Sequence, residues 1–149
     1  MSDELYQDAI MAHARAPHHA GTLAAADARA TVDNPLCGDR VTIELRLADG
    51  RIAEVAHTVR GCALCQASAS MLADGAIGAA RAEVAAARDA IRAMLRDDAP
   101  APGGRWSAFA AFLPARPARS RHDCVLLPFQ AFDKAAATAE GAPDATAVS

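Results

Sequence analysis

Val41-Thr42-Ile43-Glu44-Leu45-Arg46-Leu47-Ala48-Asp49-Gly50 decides the architecture of this chain. Val41, Ile43, Leu45 and Leu47 alternate with Thr42, Glu44 and Arg46, the period of a strand with one buried face. Asp49-Gly50 then supplies the residues of a two-residue hairpin turn. The return strand runs from Arg51 to Arg60 and places Val55, His57 and Val59 on one face. Ile52 is out of phase with those three, which predicts a bulge or an uneven start to the strand. His57 is expected to point inward beside two valines, as a core histidine rather than a catalytic one. A hairpin here makes the sheet antiparallel and argues against a βαβ unit.

Working outward, Ala30-Thr31-Val32-Asp33 alternates as a short strand, and Asn34-Pro35 forces a turn, because the residue before proline avoids helix. Upstream, Leu5, Tyr6, Ala9, Ile10 and His13 fall at helical spacing over Leu5 to Ala14, with Ser2 or Asp3 as cap and Pro17 and Gly21 as terminators. His18 and His19 sit in that turn; adjacent loop histidines are more often solvated than metal-bound. Downstream of the hairpin the period becomes helical. Leu64, Ser68, Met71 and Gly75 share one face of a helix beginning at Cys62, and Ala67 to Ser70 are small enough to let it approach the sheet closely. A second helix is expected over Glu83 to Arg96, with Val84, Ile91, Met94 and Leu95 as its apolar stripe and Arg88, Asp89 and Arg92 on its wet side. Asp98 to Gly104 is rich in breakers and reads as a loop. Trp106, Phe109, Phe112 and Leu113 form an apolar patch at helical spacing. Pro114 to Arg121 reads as extended, and a last helix is expected from about Asp123, with Pro128 tolerable only near its start.

These elements give an α+β fold, a small antiparallel sheet of about three strands with helices packed on it. At 149 residues the chain is long enough for one core, expected over residues 1–138, with 139–149 as a disordered tail. The hydrophobic fraction of 52% is largely alanine and the aromatic fraction is 4%, so Leu, Val, Ile and Ala must build the core. No apolar run approaches the roughly 18 residues of a membrane span, and Asp3 and Glu4 do not suit a secretory signal. A cytoplasmic protein is expected, without a membrane partner. The net charge of −3 argues against a nucleic-acid partner. Arginine supplies nearly all the positive charge, Lys134 being the one lysine, which reads as compositional bias.

The four cysteines carry the functional question. In a reducing compartment they are better read as thiols, ligands or core residues than as two disulfides. Cys62-Ala63-Leu64-Cys65 is a C-x-x-C at a strand-to-helix junction, where a helix N-terminus lowers thiol pKa and a thiol–disulfide pair could sit. On a helix, however, Cys65 turns toward the apolar stripe. The hairpin offers another grouping. It brings residues near 39 and 61 to the same end of the sheet, so Cys37, Asp39 and Cys62 converge by topology, and Cys124 at the start of another helix would complete a Cys₃Asp set suited to zinc or iron–sulfur chemistry. Metal site, redox pair and inert core cysteines all stay open on spacing alone.

Several segments taken together resemble one family. Leu5-Tyr6 with Ile10 and His13, Asn34-Pro35-Leu36-Cys37-Gly38-Asp39, Gly61-Cys62-Ala63 with Ala67-Ser68-Ala69-Ser70-Met71, and Arg121 to Leu127 resemble, in order, the IscU/NifU-type iron–sulfur cluster assembly scaffolds. The long insertion over about Ala80 to Arg119, and Asp123 where the IscU branch has histidine (His122 lies one place back), are similar to the SufU branch. The resemblance implies a SufE/NifU-like fold and Cys37, Asp39, Cys62 and Cys124 as ligands of a zinc ion or a transient iron–sulfur cluster. It implies Cys37 as persulfide acceptor, a SufS-like cysteine desulfurase as sulfur donor, and apo iron–sulfur proteins as recipients. Whether such a chain acts as a zinc-dependent sulfurtransferase or as a non-enzymatic scaffold stays open. Cys65 stands where the family commonly has serine and is expected to be a core thiol. The rivals are a thiol–disulfide oxidoreductase using Cys62 and Cys65, and a structural zinc domain.

Overall fold

The computed structural model describes the backbone of residues 2–36 and 38–148 and the side chains of residues 8–36 and 38–139. Three strands form an antiparallel meander in the order β1-β2-β3: β1 Ala28–Asn34, β2 Asp39–Ala48 and β3 Arg51–Arg60. The predicted hairpin is present, and its turn residues Asp49 and Gly50 have φ of 55° and 77°, the left-handed pair a tight turn requires. The ladder pairs Arg46 with Glu54 but Leu47 with Ile52, so Ala53 is the extra residue of a bulge. That bulge resolves the phase conflict: Ile52, Val55 and His57 are all buried.

Helices cover one face of this sheet. α1 (Ser2–Arg15) lies on α2 (Ala63–Ala76); α2 packs on β3; α3 (Arg81–Arg96) and α2 both pack on α4 (Arg119–Val148), which covers β1 and β2. The apolar side of β2 (Val41, Ile43, Leu45) is fully buried beneath α4. Its polar side is less exposed than alternation suggests. Glu44 is buried because its carboxylate accepts the Leu23 N–H at 3.0 Å and pairs with Arg29 at 3.6 Å, so the chain around residues 21–29 lies over it. Thr31 and Thr42 hydroxyls meet across the strands at 2.8 Å.

Between α3 and α4 a 3-10 helix, Gly104–Ala115, replaces the expected α-helical patch and seats Trp106, Phe109 and Phe112 in the core. Trp106 packs closely against α2 at Gly75, where a Cβ would lie 2.5 Å from the indole. The extended reading of Pro114 to Arg121 is corrected, and so is the helix start near Asp123. The 3-10 helix runs to Ala115 and α4 begins at Arg119. Two tertiary contacts explain the difference. Arg116 donates to the carbonyls of Met94 (2.7 Å) and Ala99 (2.5 Å), and buried His122 bonds through Nε2 to the carbonyls of Ala115 and Arg116. Pro128 therefore falls inside the helix rather than in its first turn, where its ring has no N–H for the Cys124 carbonyl. The expected tail over 139–149 lies, beyond Ala139, outside the described side chains. Among the described residues no helix is long and apolar enough to cross a membrane.

Candidate metal centre

The site forms where the β2–β3 hairpin opens, opposite its tip. Asn34 turns the chain out of β1: its Oδ1 accepts the Leu36 N–H at 3.0 Å, and its carbonyl accepts the Gly38 N–H at 2.8 Å. Gly38, at φ 74°, makes the last bend into β2, a conformation only glycine adopts freely. Asp39 then pairs with Asn34 on one side, while the Arg40–Arg60 pair on the other sets Asp39 beside Gly61. Cys37 is outside the described residues.

Asp39 is a buried carboxylate, 5% exposed. Gly61 makes the room for it, since a Cβ there would lie 2.7 Å from both Cγ and Oδ1 of Asp39. Cys62 follows immediately as the residue capping α2. Its Sγ is 3.8 Å from Asp39 Oδ2. Cys124, 3% exposed, comes from the second turn of α4. One ligand atom from each of Asp39, Cys62 and Cys124 lies within 4.8 Å of the others. Three elements distant in sequence thus bring a carboxylate and two thiols to one point; the hairpin register accounts for Asp39 beside Cys62, and α4 brings Cys124. Ser120 and Arg121 border the recess on the α4 side, and Arg40 and Arg60 on the sheet side.

The site disfavours a free Cys124 thiolate. Burial pushes the Cys124 thiol far up from its ordinary range, and the adjacent Cys62 and Asp39 push it further. The buried Cys124 thiol thus resists ionising, whereas a coordinated divalent cation would reverse that balance and hold it deprotonated. Sulfur and carboxylate donors in this number suit zinc or iron. The donor set and the cradle at Gly61 therefore fit a thiophilic metal.

Cys65 is elsewhere. It is fully buried in the hydrophobic core, one turn into α2. His57 is also a core residue: its Nε2 donates to the His18 carbonyl at 2.8 Å, and among the described residues its Nδ1 has no hydrogen-bond partner. Burial lowers its pKa. His18 and His19 are exposed, as expected of a solvated turn, and both also reach Asp74. His18 Nδ1 lies 2.5 Å from Asp74 Oδ2, and His19 Nε2 lies 3.4 Å from Asp74 Oδ1. Nothing local announces these contacts, because Asp74 is more than fifty residues away on α2.

The NifU-like N terminal domain matches residues 5–111. The chain belongs to that family. It is 31% identical over 94 residues to the "Iron-sulfur cluster assembly scaffold protein IscU" of Streptococcus pyogenes serotype M1, covering 63% of this chain and 58% of that one. It is 41% identical over 73 residues to the "Zinc-dependent sulfurtransferase SufU" of Bacillus subtilis (strain 168), covering 47% of each. The crystal structure of a nitrogen-fixing NifU-like protein (N-terminal) from Brucella abortus superposes with a TM-score of 0.86 at 41% identity, covering 93% of this chain and 96% of that one. The chain spans about half the length of the curated relatives it matches, 47–58%. The IscU/NifU-type resemblance, with its SufU branch, and the α+β fold both hold.

Proposed function

We propose that this chain is a cytoplasmic sulfur acceptor and scaffold in iron–sulfur cluster assembly. Its site is Cys37, Asp39, Cys62 and Cys124, its sulfur donor a cysteine desulfurase, and its recipients apo iron–sulfur proteins. The observation that carries this reading is the convergence of Asp39, Cys62 and Cys124 within 4.8 Å, in a recess that Gly61 keeps open. A thiol of pKa about 8.5 is only roughly 3% thiolate at pH 7. A cation held by these residues would supply the missing charge and keep the thiols ionised. Cys37, next to Gly38 in sequence, is the acceptor. Its thiolate attacks the terminal sulfur of the donor's persulfide; the donor S–S bond breaks, a new S–S bond forms on Cys37, and the donor cysteine leaves as thiolate. No outside oxidant or reductant is consumed. The sulfur so delivered is cargo; its release as sulfide would take two electrons from an external reductant, and the same ligands would hold the iron.

The full burial of Cys65 weighs against a Cys62–Cys65 redox pair, since exchange requires an attackable sulfur. Metal analysis and labelled-sulfur transfer test the proposal together. One thiolate-bound metal should be lost in Cys37→Ser, Cys62→Ser and Cys124→Ser but kept in Cys65→Ser, and desulfurase-derived sulfur should appear on Cys37. A chain that keeps its metal yet takes no sulfur would be a structural zinc domain, and the proposal would fail.

A further inference from the structure

A second cluster of donors lies at the other end of α2. One ring nitrogen from each of His13 and His18 and one carboxylate oxygen of Asp74 lie within 4.8 Å of one another. Asp74 is flanked on both oxygens, by His18 Nδ1 at 2.5 Å and His19 Nε2 at 3.4 Å. The His13 and His18 rings lie side by side, 4.7 Å between centroids.

Hydrogen bonds behind the cluster fix the His13 ring and the backbone that carries His18 and His19. Ser70 Oγ lies 2.7 Å from His13 Nδ1 and accepts the His18 backbone N–H at 2.8 Å, so one hydroxyl orients both residues. The His18 carbonyl accepts from buried His57 Nε2. The His57 N–H donates to the His19 carbonyl at 3.2 Å, and the Gly21 N–H to the His57 carbonyl at 2.8 Å, so the turn is laced to the open edge of β3. His19 itself holds φ 66°, a left-handed conformation costly for a side-chain-bearing residue, and it is this turn that brings its imidazole to Asp74. Secured backbone and oriented imidazoles are the outer support that metal ligands use.

We propose that His13, His18 and Asp74, with His19 as an available fourth donor, bind a divalent first-row cation of the zinc type. Imidazole and carboxylate suit zinc, cobalt and nickel without any thiol. Bonds of about 2.0–2.1 Å in a tetrahedron set ligand atoms about 3.4 Å apart. His18 Nδ1 and His19 Nε2 lie 2.5 and 3.4 Å from the Asp74 oxygens, and the His13, His18 and Asp74 donor atoms are all within 4.8 Å of one another, so small side-chain movements reach that spacing. The His18–Asp74 hydrogen bond opens to admit the ion, and His18 then carries its ring proton on Nε2. Both side chains are about half exposed (52% and 42%), so no packed core resists that movement. The competing account is a hydrogen-bonded clip that only ties the turn to α2. It explains the contacts of His18 and His19 with Asp74 and of His13 with Ser70, but not why ring nitrogens of His13 and His18 and an oxygen of Asp74 converge within 4.8 Å. Cys62 and Asp74 are twelve residues apart on one helix, roughly 18 Å, so the two centres fill independently.

Zinc titration and metal analysis of the full chain decide it. Two ions per chain are expected. His18→Ala and Asp74→Ala should each remove one of them, at least tenfold in affinity, and leave the ion whose cobalt form shows thiolate-to-metal charge transfer. Cys62→Ser should do the reverse. If Asp74→Ala fails to fold, the His18→Ala chain carries the same test. Unchanged stoichiometry in His18→Ala, or a single ion in the wild type that Cys62→Ser removes, overturns the proposal. Two ions that survive Cys62→Ser, one of them lost in His18→Ala, would support it while refuting the thiolate centre.

Discussion

Gly61→Ala is the sharpest probe of the Asp39 cradle. The added Cβ would lie 2.7 Å from Asp39 Cγ and Oδ1, and ordinary contact begins at 3.4 Å, so the carboxylate must retreat by about 0.7 Å. Asp39 is buried, and overpacking of this size costs about 1–3 kcal/mol when neighbours cannot give way. Its effect on metal is larger than its effect on folding, because ligand distances tolerate only about ±0.2 Å. Disturbing the support of a ligand typically lowers affinity about 10–100-fold, which is about 1.4–2.7 kcal/mol. Competition for zinc against a chromogenic chelator measures this directly. The cause is isolated by repeating it in Asp39→Ala: if Gly61→Ala acts through the carboxylate, the second substitution adds nothing there. Wild-type affinity in Gly61→Ala, or an equal loss in the Asp39→Ala background, would refute the cradle.

Cys65→Ala should lower stability by about 1 kcal/mol and leave metal stoichiometry unchanged, as denaturant midpoints and metal analysis of one preparation would show. Gly75→Ala drives a methyl into Trp106; about 1–3 kcal/mol of destabilisation is expected, with altered tryptophan emission, and an unshifted midpoint would contradict the packing. His57 gives a pH dependence. Burial holds its folded pKa below 6.5, with His19 adding to the effect and the His18 carbonyl and Asp74 opposing it. Below about pH 6.5 the unfolded chain takes a proton that the folded one refuses. Stability present above that pH is therefore lost as pH falls, and His57→Gln should flatten urea midpoints measured from pH 7.5 to 5.

The sheet was legible because its signals are local. Period-two alternation, Asp49-Gly50 and the misplaced phase of Ile52 each reflect neighbours within a few residues. The Asp39–Cys62 proximity came with them, since register alone carries residue 39 to residue 61. Cys124 needed more: its helix begins four residues earlier than the apolar pattern suggests, set by Arg116 reaching across to Met94 and Ala99 and by His122 folding back on Ala115 and Arg116. Such contacts leave no period in the chain. The histidine cluster was the least legible part. His18 and His19 look like any solvated turn until Asp74, Ser70 and His57 arrive from three other elements. A polar residue at position 74, at the end of an otherwise buried helix, was the only signal that could have pointed to it.

Trp106 makes α2 a ruler. It is the chain's single tryptophan and touches the helix at Gly75, next to Asp74. Cys62 lies thirteen residues back, roughly 20 Å along the axis. A light-absorbing paramagnetic ion such as cobalt should therefore dim the indole strongly from the histidine end and weakly from the cysteine end. The unlabelled protein carries its own optical means of telling which centre fills first.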